Sequence, residues 1–238
     1  MGLWITATVF AFFVKGLCGF ANTLTFTTIL SFGAANINIS PVELVLGYPA
    51  NLIIAWSERK SIRWSICAPL SVLVIAGSIP GILFLKNADA QIVKIIFGFT
   101  VIFIGIEMLL KESSQKRRKK SKLLLGFIGV LSGILCGLYG VGALLGAYIS
   151  SVAEDSRALK ANICVVFLVE NTLRMALYSA WGIITPQVLR SAVMLSPFMI
   201  AGLLAGVTSC KFLDERLVRK IVIIMLIISG AALLINNL

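Results

Sequence analysis

The residues with the clearest potential for chemistry are charged side chains that interrupt long apolar runs. Arg174 and Glu170 lie four positions apart in the apolar run 157–180, so a helix would place them on one face. Lys15 lies inside another apolar run, 3–33. A charge inside a membrane segment is costly and marks a functional site or a buried pair. These positions suggest an anion site with Lys15 and Arg174 as cations and Glu170 as the proton-coupling candidate.

Each of these charges also has an explanation that needs no ligand. Glu170 and Arg174 can form an ion pair that holds helices together, and Lys15 can extend its ammonium group to the membrane interface. The absence of histidine from the chain favours Glu170 as the proton site. Neutral donors at similar depth can bind the same anion or can join helices by hydrogen bonds. These donors are Asn22, Thr23, Asn51, Asn162 and Asn171.

Two related glycine-rich stretches, KGLCGFANT at 15–23 and CGLYGVGAL at 136–144, interrupt the first apolar run of each half of the chain. Inside a membrane such a stretch predicts a broken helix. A helix that restarts after the break points free N–H groups and its positive dipole end into the gap, where an anion is favoured. Alternatively, small residues allow tight helix packing. The glycines proposed to bind the anion are Gly16, Gly19, Gly137, Gly140 and Gly142.

Composition defines the elements that must position these residues. The chain of 238 residues is 59% hydrophobic and only 13% charged, and its mean hydropathy is +1.01. This is too little polar surface for a soluble globule, so the sequence predicts an all-α polytopic membrane protein. The net charge of +11 lies in short gaps between apolar runs, which indicates cytoplasmic loops and not a nucleic-acid-binding domain.

The chemistry of an enzyme or a metalloprotein is not indicated. The five cysteines lie in apolar segments without a CxxC or Cys/His pattern, so we expect neither a disulfide framework nor a metal site. The chain also offers no nucleophile and base pair and no phosphate-binding loop of the GK[ST] type. The sequence therefore predicts a protein without cofactors that is not an enzyme.

The apolar runs predict about eight helical segments in two four-segment repeats. The first repeat covers 1–110, a basic cytoplasmic linker covers 111–122, and the second repeat covers 123–238. Glu43 and Glu107 lie near segment ends and are expected to be interfacial. The first segment of each repeat is predicted to be broken or re-entrant. The segments are 3–33 (arms of about 3–15 and 22–33), 41–56, 64–86, 90–110, 123–150, 157–180, 187–210 and 217–238.

The distribution of lysine and arginine favours an inverted arrangement of the two repeats. If all eight runs cross the membrane, the two faces carry ten and eight basic residues in the gaps. If each broken run returns to the face from which it entered, the faces carry sixteen and two. The second distribution agrees far better with the excess of basic residues in cytoplasmic loops. Inverted repeats with broken helices at the midplane are typical of secondary transporters.

The chain resembles the sulfite exporter TauE/SafE family of membrane anion transporters over essentially its whole length. The resemblance rests on GLCGFAN and GLYGVGA in the two broken runs and on the basic-aromatic turn SERKSIRWSICAPL. It rests also on the stretch AGSIPGILFLKNADAQIVKIIFGFTVIFIGIEML. The family resemblance implies an anion carrier whose substrates are sulfite, sulfonates and related organosulfur anions.

These features together predict a secondary transporter that moves a small anion, sulfite or an organosulfonate, across the cytoplasmic membrane by alternating access. A passive anion channel and a non-transporting membrane assembly subunit are the alternatives. The expected partners are the small anion, a coupling proton or cation and the lipid bilayer, with a second copy of the chain as a further candidate. Nucleic acid is not an expected partner.

Overall fold

A computed structural model describes residues 1–31, 39–87, 122–140, 142–153 and 155–209, with isolated helical positions between 95 and 109 and between 220 and 235. This described part is α-helical throughout and contains no strand. A short 3-10 turn, Arg59–Ser61, separates two of the helices. The α-helices are α1 (Gly2–Cys18), α2 (Asn22–Ser31), α3 (Ile39–Ser57), α4 (Trp64–Asn87), α5 (Lys122–Tyr139), α6 (Ala143–Val152), α7 (Ser156–Ala180) and α8 (Pro186–Ser209).

Both predicted helix breaks are present. The first separates α1 from α2, and the second separates α5 from α6. The segments predicted at 41–56, 64–86, 157–180 and 187–210 correspond to α3, α4, α7 and α8. Of the linker predicted at 111–122, residues 111–121 lie outside the described residues, and Lys122 begins α5. The segments predicted at 90–110 and 217–238 are described only at scattered positions, each of them helical.

A glycine in the left-handed conformation ends the helix at each break. Gly19 has φ +85° and Gly140 has φ +70°. The N–H group of Gly19 donates to the carbonyl oxygen of Lys15 at 2.6 Å, and that of Gly140 donates to Cys136 at 2.7 Å. Glycine adopts this conformation without the steric penalty of a β-carbon, and it is the usual residue directly after a helix. The glycine pattern thus ends α1 and α5 at equivalent places.

Four helices in the described part, α3, α4, α7 and α8, are long and apolar enough to span a membrane. The helix α1 and the segment Leu125–Gly137 of α5 are apolar but shorter. A spanning helix needs about 20 apolar residues. These lengths agree with a polytopic membrane protein whose first segment in each half is interrupted.

Glycines bring α1 and α8 into backbone contact. A β-carbon at Gly202 would overlap the backbone oxygen of Val9, and one at Gly206 would overlap that of Phe13. Gly16 lies on the same surface, where its β-carbon would be 2.6 Å from the oxygen of Leu203. Residue numbers rise together on the two helices, so α1 and α8 run parallel.

Within the described residues the most extensive helix contact is that of α4 with α5, and it is built in the same way. A β-carbon at Gly133 would overlap the backbone oxygen of Val74, and one at Gly137 would overlap that of Ser78. The hydroxyl group of Ser78 donates to the carbonyl oxygen of Gly133 at 3.1 Å. Small residues at four-residue spacing allow such close approach between membrane helices. These two helices also run parallel.

The helix after the first break turns back along α1. The rings of Trp4, near the beginning of α1, and Phe26, on α2, meet edge to face with centroids 5.8 Å apart. Because α1 rises about 1.5 Å per residue, a second helix continuing in the same direction would carry Phe26 far from Trp4. The first broken run therefore forms a helical hairpin. Between the paired helices, α3 packs against α7.

Candidate functional site

A cleft that is partly open to its surroundings lies where the two breaks meet α3 and α7. Residues from both halves of the chain line it. Seven of them belong to the set that the sequence proposes for anion binding: Lys15, Asn22, Thr23, Asn51, Gly140, Gly142 and Asn171. The remaining lining residues are Ala21, Leu24, Glu43 and Phe167.

The beginnings of two helices face this cleft. Residues 21–24 at the start of α2 line one side, and Gly142, directly before α6, lines the other. The first N–H groups of an α-helix have no acceptor within the helix, and the helix dipole makes this end positive. Both restarted helices thus bring N–H groups without an acceptor in their own helix, and a positive dipole end, to the same space, which favours an anion.

Lys15 is the cation of the cleft. Its side chain is only 1% exposed. The ammonium group donates a hydrogen bond to Oδ1 of Asn22 at 3.0 Å, and it lies 5.8 Å from the ring centroid of Phe167. Lys15 lies near the end of α1, directly before Gly16. From this position its amine reaches the cleft and does not extend along the helix to the membrane surface.

Glu43 is a cleft residue, and its predicted interfacial position is wrong. The side chain is 3% exposed, and its carboxylate accepts a hydrogen bond from Nδ2 of Asn22. The hydroxyl group of Thr23 interacts with the same carboxylate. The helix α3 begins at Ile39, so Glu43 lies in its second turn, where the chain already packs against α2 and α7.

Three residues on one face of α3 lie in this region. Glu43, Gly47 and Asn51 are spaced by four residues and therefore lie one above another on the helix. A β-carbon at Gly47 would lie 3.2 Å from Oε1 of Glu43, so this glycine leaves space for the carboxylate. Asn51 is 1% exposed, and its Oδ1 has no hydrogen-bond partner in the described part of the chain. Asn51 thus presents a buried amide to the cleft.

Arg174 and Glu170 form a buried pair outside the lining of the cleft. Both side chains are 1% exposed, and Nε of Arg174 lies 3.8 Å from Oε1 of Glu170. A hydrogen bond joins Nη2 of Arg174 to Oγ of Ser40 at 3.2 Å. The guanidinium group packs directly on Gly140, where a β-carbon would overlap it. The pair therefore borders the second break, while Lys15 enters the cleft at the first.

The other proposed binding residues are placed in helix contacts. Gly16 and Gly137 lie in the contacts of α1 with α8 and of α5 with α4. Gly19 packs against α7. Oδ1 of Asn162 accepts hydrogen bonds from the backbone N–H of Arg63 at 2.8 Å and from Sγ of Cys67 at 2.9 Å. Asn162 thus joins α7 to the beginning of α4.

Lys160 is a buried residue that the count of basic residues assigns to a gap, although the predicted segment 157–180 contains it. It lies in the second turn of α7 and is 6% exposed. Its ammonium group donates to the carbonyl oxygen of Gly16 at 2.9 Å, in the last turn of α1. A cation at the end of a helix satisfies free carbonyl groups and complements the negative end of the dipole. Lys160 therefore connects the second half of the chain to the first break.

The sequence contains signals for two of the residues that were missed. Glu43, Gly47 and Asn51 recur every four residues and so mark a polar face on an otherwise apolar helix. A carboxylate at the membrane interface needs no such face. Lys160 precedes Asn162 in KANICV, which resembles PANLII on α3, and this resemblance places it inside a helix. For Phe167 the sequence offers no signal, because aromatic residues occur throughout the apolar runs.

The described residues contain no group of three or more His, Cys, Asp or Glu side chains that could hold a metal ion. Cys18, Cys67, Cys136 and Cys164 are buried free thiols. The polar atoms of the cleft are amines, amides, hydroxyls and one carboxylate. Their chemistry is that of recognition by charge and hydrogen bonding.

A family model described as sulfite exporter TauE/SafE matches residues 4–233, which include both helix breaks and every residue of the cleft. A comparison with curated proteins and a comparison with solved structures give no match.

Proposed function

The chain belongs to the sulfite exporter TauE/SafE family, and from this membership we propose that it is a secondary transporter for sulfite or a small organosulfonate. The family consists of membrane transporters for sulfite-type anions and is not an enzyme family. The protein is accordingly a multi-pass membrane protein, and we propose the cytoplasmic membrane as its location because basic residues concentrate in the gaps of one predicted face.

The meeting of two helix beginnings and a buried lysine in one cleft carries this proposal. Each feature alone has a structural explanation, but the occurrence of all three at one cleft, beside the Glu43 carboxylate, supports an anion as the ligand. The buried ammonium group is linked through Asn22 to the Glu43 carboxylate, and a bound anion can take the place of that carboxylate as its partner. The oxygens of sulfite or of a sulfonate group accept hydrogen bonds from the ammonium group, the free backbone N–H groups and the side-chain amides.

Transport by alternating access between inverted halves agrees with the helix contacts. The helices α1 to α4 of the first half correspond in order to α5 to α8 of the second. The contact of α1 with α8 therefore corresponds to that of α5 with α4. The contact of α3 with α8 likewise corresponds to that of α7 with α4. The return of α2 along α1 also supports a first run that does not cross the membrane. Such a run reverses the orientation of the second half relative to the first.

Coupling to a proton requires a buried carboxyl group near the anion. Glu170, proposed from the sequence, is buried beside Arg174, and neither residue lines the cleft. Arg174 can contribute to anion binding through its positive charge behind Gly140. Direct coordination of the anion is assigned to Lys15, Asn22, Thr23, Asn51 and Asn171, because their side chains line the space.

Binding of sulfite to the purified full-length protein tests the site. We expect sulfite to raise the thermal unfolding temperature and Lys15→Gln to weaken its affinity about tenfold to a hundredfold, because a charge-assisted hydrogen bond is lost. The matched control is Lys60→Gln, which removes the same charge from an exposed position. Equal affinities for the two variants would contradict the proposed site, and the absence of binding by any sulfur oxyanion would contradict the proposed function.

Counterflow in proteoliposomes separates a carrier from a channel. If the protein is a carrier, proteoliposomes loaded with unlabelled sulfite transiently accumulate labelled sulfite above its equilibrium level. This happens because the labelled and the unlabelled anion use the same alternating site. A channel lets the label only equilibrate. We expect transient accumulation, and simple equilibration would favour the channel.

A further inference from the structure

We propose that the carboxylate of Glu43 serves as the internal counter-ion of the empty cleft and takes up a proton when the transported anion binds. This inference rests on the proposed function and assigns its coupling site. It places the proton on a residue that lines the cleft.

A hydrogen-bonded chain links the cation of the cleft to this carboxylate. The ammonium group of Lys15 donates to Oδ1 of Asn22, and Nδ2 of Asn22 donates to Glu43. The amide is thereby oriented, with its oxygen towards the positive charge and its amino group towards the negative charge. All three side chains line the cleft, and each is at most 5% exposed. In the proposed empty state the unit is neutral, with a positive Lys15 and a negative Glu43.

An arriving anion disturbs this balance. If Glu43 stays ionised, two negative charges share one buried cleft, where the attraction of one ammonium group serves both. Uptake of one proton from the adjoining water converts the carboxylate to a neutral carboxylic acid. The anion then replaces the carboxylate as the partner of Lys15, and the number of charges in the cleft is unchanged.

The surrounding elements supply no competing group that lines the cleft. On α2 the neighbours of Glu43 are the neutral side chains of Asn22 and Thr23. On α7, Arg174 and Glu170 both interact electrostatically with Glu43 from outside the cleft lining, and the effect of Arg174 on Glu43 is larger than that of Lys15. The remaining helix that packs on α3 is α8, whose single charged residue, Arg190, is exposed.

Return of the carboxylate completes a transport cycle. When the anion leaves on the opposite side of the membrane, Lys15 again attracts Glu43, and the proton departs to that side. One proton then moves with each anion in the same direction. Gly47 is the residue that gives the carboxyl group space for this movement, because it lies directly above Glu43 on α3.

Calorimetric titration of the full-length protein with methanesulfonate tests the inference. This probe stays ionised between about pH 5 and about pH 8, so any proton taken up must go to the protein. Titrations in two buffers of different ionisation enthalpy give the number of protons bound. We expect uptake of about one proton per anion and an affinity that falls about tenfold per pH unit as the pH rises above the range where Glu43 is protonated.

In Glu43→Gln we expect no proton uptake and an affinity that is independent of pH. The control Glu58→Gln, outside the cleft, should retain the uptake. Uptake that persists in Glu43→Gln, or that disappears instead in Glu170→Gln, would overturn the inference. If the protein binds methanesulfonate without any proton uptake, the inference fails and the proposed function stands. If neither this probe nor sulfite binds, the proposed function fails as well.

A second variant tests whether Glu43 takes up the proton even if Glu43→Gln does not fold. Asn22→Ala removes a donor from the Glu43 carboxylate and an acceptor from the Lys15 ammonium group. Loss of the donor favours the neutral acid, whereas loss of the acceptor favours the neutral amine. The pH midpoint of anion binding therefore moves up if Glu43 holds the proton. A midpoint that moves down would assign the proton to Lys15 and overturn the inference.

Discussion

Gly142 lies at a point of the cleft where no side chain fits. A β-carbon there would overlap the ring of Phe167. That ring lies below the ammonium group of Lys15, so its position affects both the shape of the cleft and the environment of the charge. The two residues come from different elements, with Gly142 before α6 and Phe167 on α7. A glycine at this position is therefore required by the packing of the site.

We predict that Gly142→Ala weakens anion binding and destabilises the protein by about 1–3 kcal/mol, because the ring must leave its present position. Thermal unfolding and sulfite titration of the purified protein measure the two effects. The double variant Gly142→Ala/Phe167→Leu should recover stability, since leucine vacates the space of the ring. A single variant as stable as the unchanged protein would contradict the described packing.

Single residues of the cleft differ in how well the sequence predicts them. Lys15 and Asn22 are identifiable because a charge and an amide interrupt an apolar run. Glu43 is missed because proximity to a segment end is compatible with both interfacial exposure and burial. Only the neighbouring helices decide between these, and α2 and α7 cover this turn of α3. Whether the identified residues bind an anion remains the subject of the titrations proposed above.

At the scale of elements, the helix breaks are predictable and the helix partners are not. Glycine after an apolar helix ends it by a local conformation, so Gly19 and Gly140 act within their own segments. The partner of each helix depends on surfaces that are distant in the sequence. Four-residue glycine spacing on α4, α5 and α8 indicates close packing but does not specify which surfaces meet.

We predict that alanine substitution at two glycines of α5 affects the stability of the protein differently. Gly133→Ala should lower the unfolding temperature, because the methyl group would overlap the backbone of α4 and such overpacking costs about 1–3 kcal/mol. Gly126→Ala should be neutral or should stabilise the helix by up to about 1 kcal/mol, because its added β-carbon meets no atom within 4 Å. Thermal unfolding of both variants in one detergent makes the comparison. Equal unfolding temperatures would show that α4 and α5 do not pack through Gly133.

The whole molecule combines two chain halves whose relative orientation is a prediction. The hairpin of α1 and α2 and the corresponding helix contacts support inversion. Lys160 reduces the loop charge that the sequence assigns to the cytoplasmic face, since it lies buried in α7. The remaining basic residues of the gaps still favour the same orientation.

We predict that a cysteine at position 213 is protected from a membrane-impermeant thiol reagent added outside intact cells, because inversion places this loop in the cytoplasm. Position 87 is outside in either arrangement, so Asn87→Cys is the positive control. The experiment uses a chain in which the native cysteines are replaced. Labelling of Leu213→Cys from outside would contradict inversion.

The glycine contacts described above join helices from different halves, since α1 meets α8 and α4 meets α5. These are close backbone contacts without side chains between them, and separating them would lose the van der Waals packing that holds membrane helices together. A motion that opens the cleft and keeps both contacts must therefore divide the molecule across its sequence halves. Its two bodies would be α1 with α8 and α4 with α5, each containing one helix from each half of the chain. Truncation of either half would then remove part of both bodies, so neither half alone should transport.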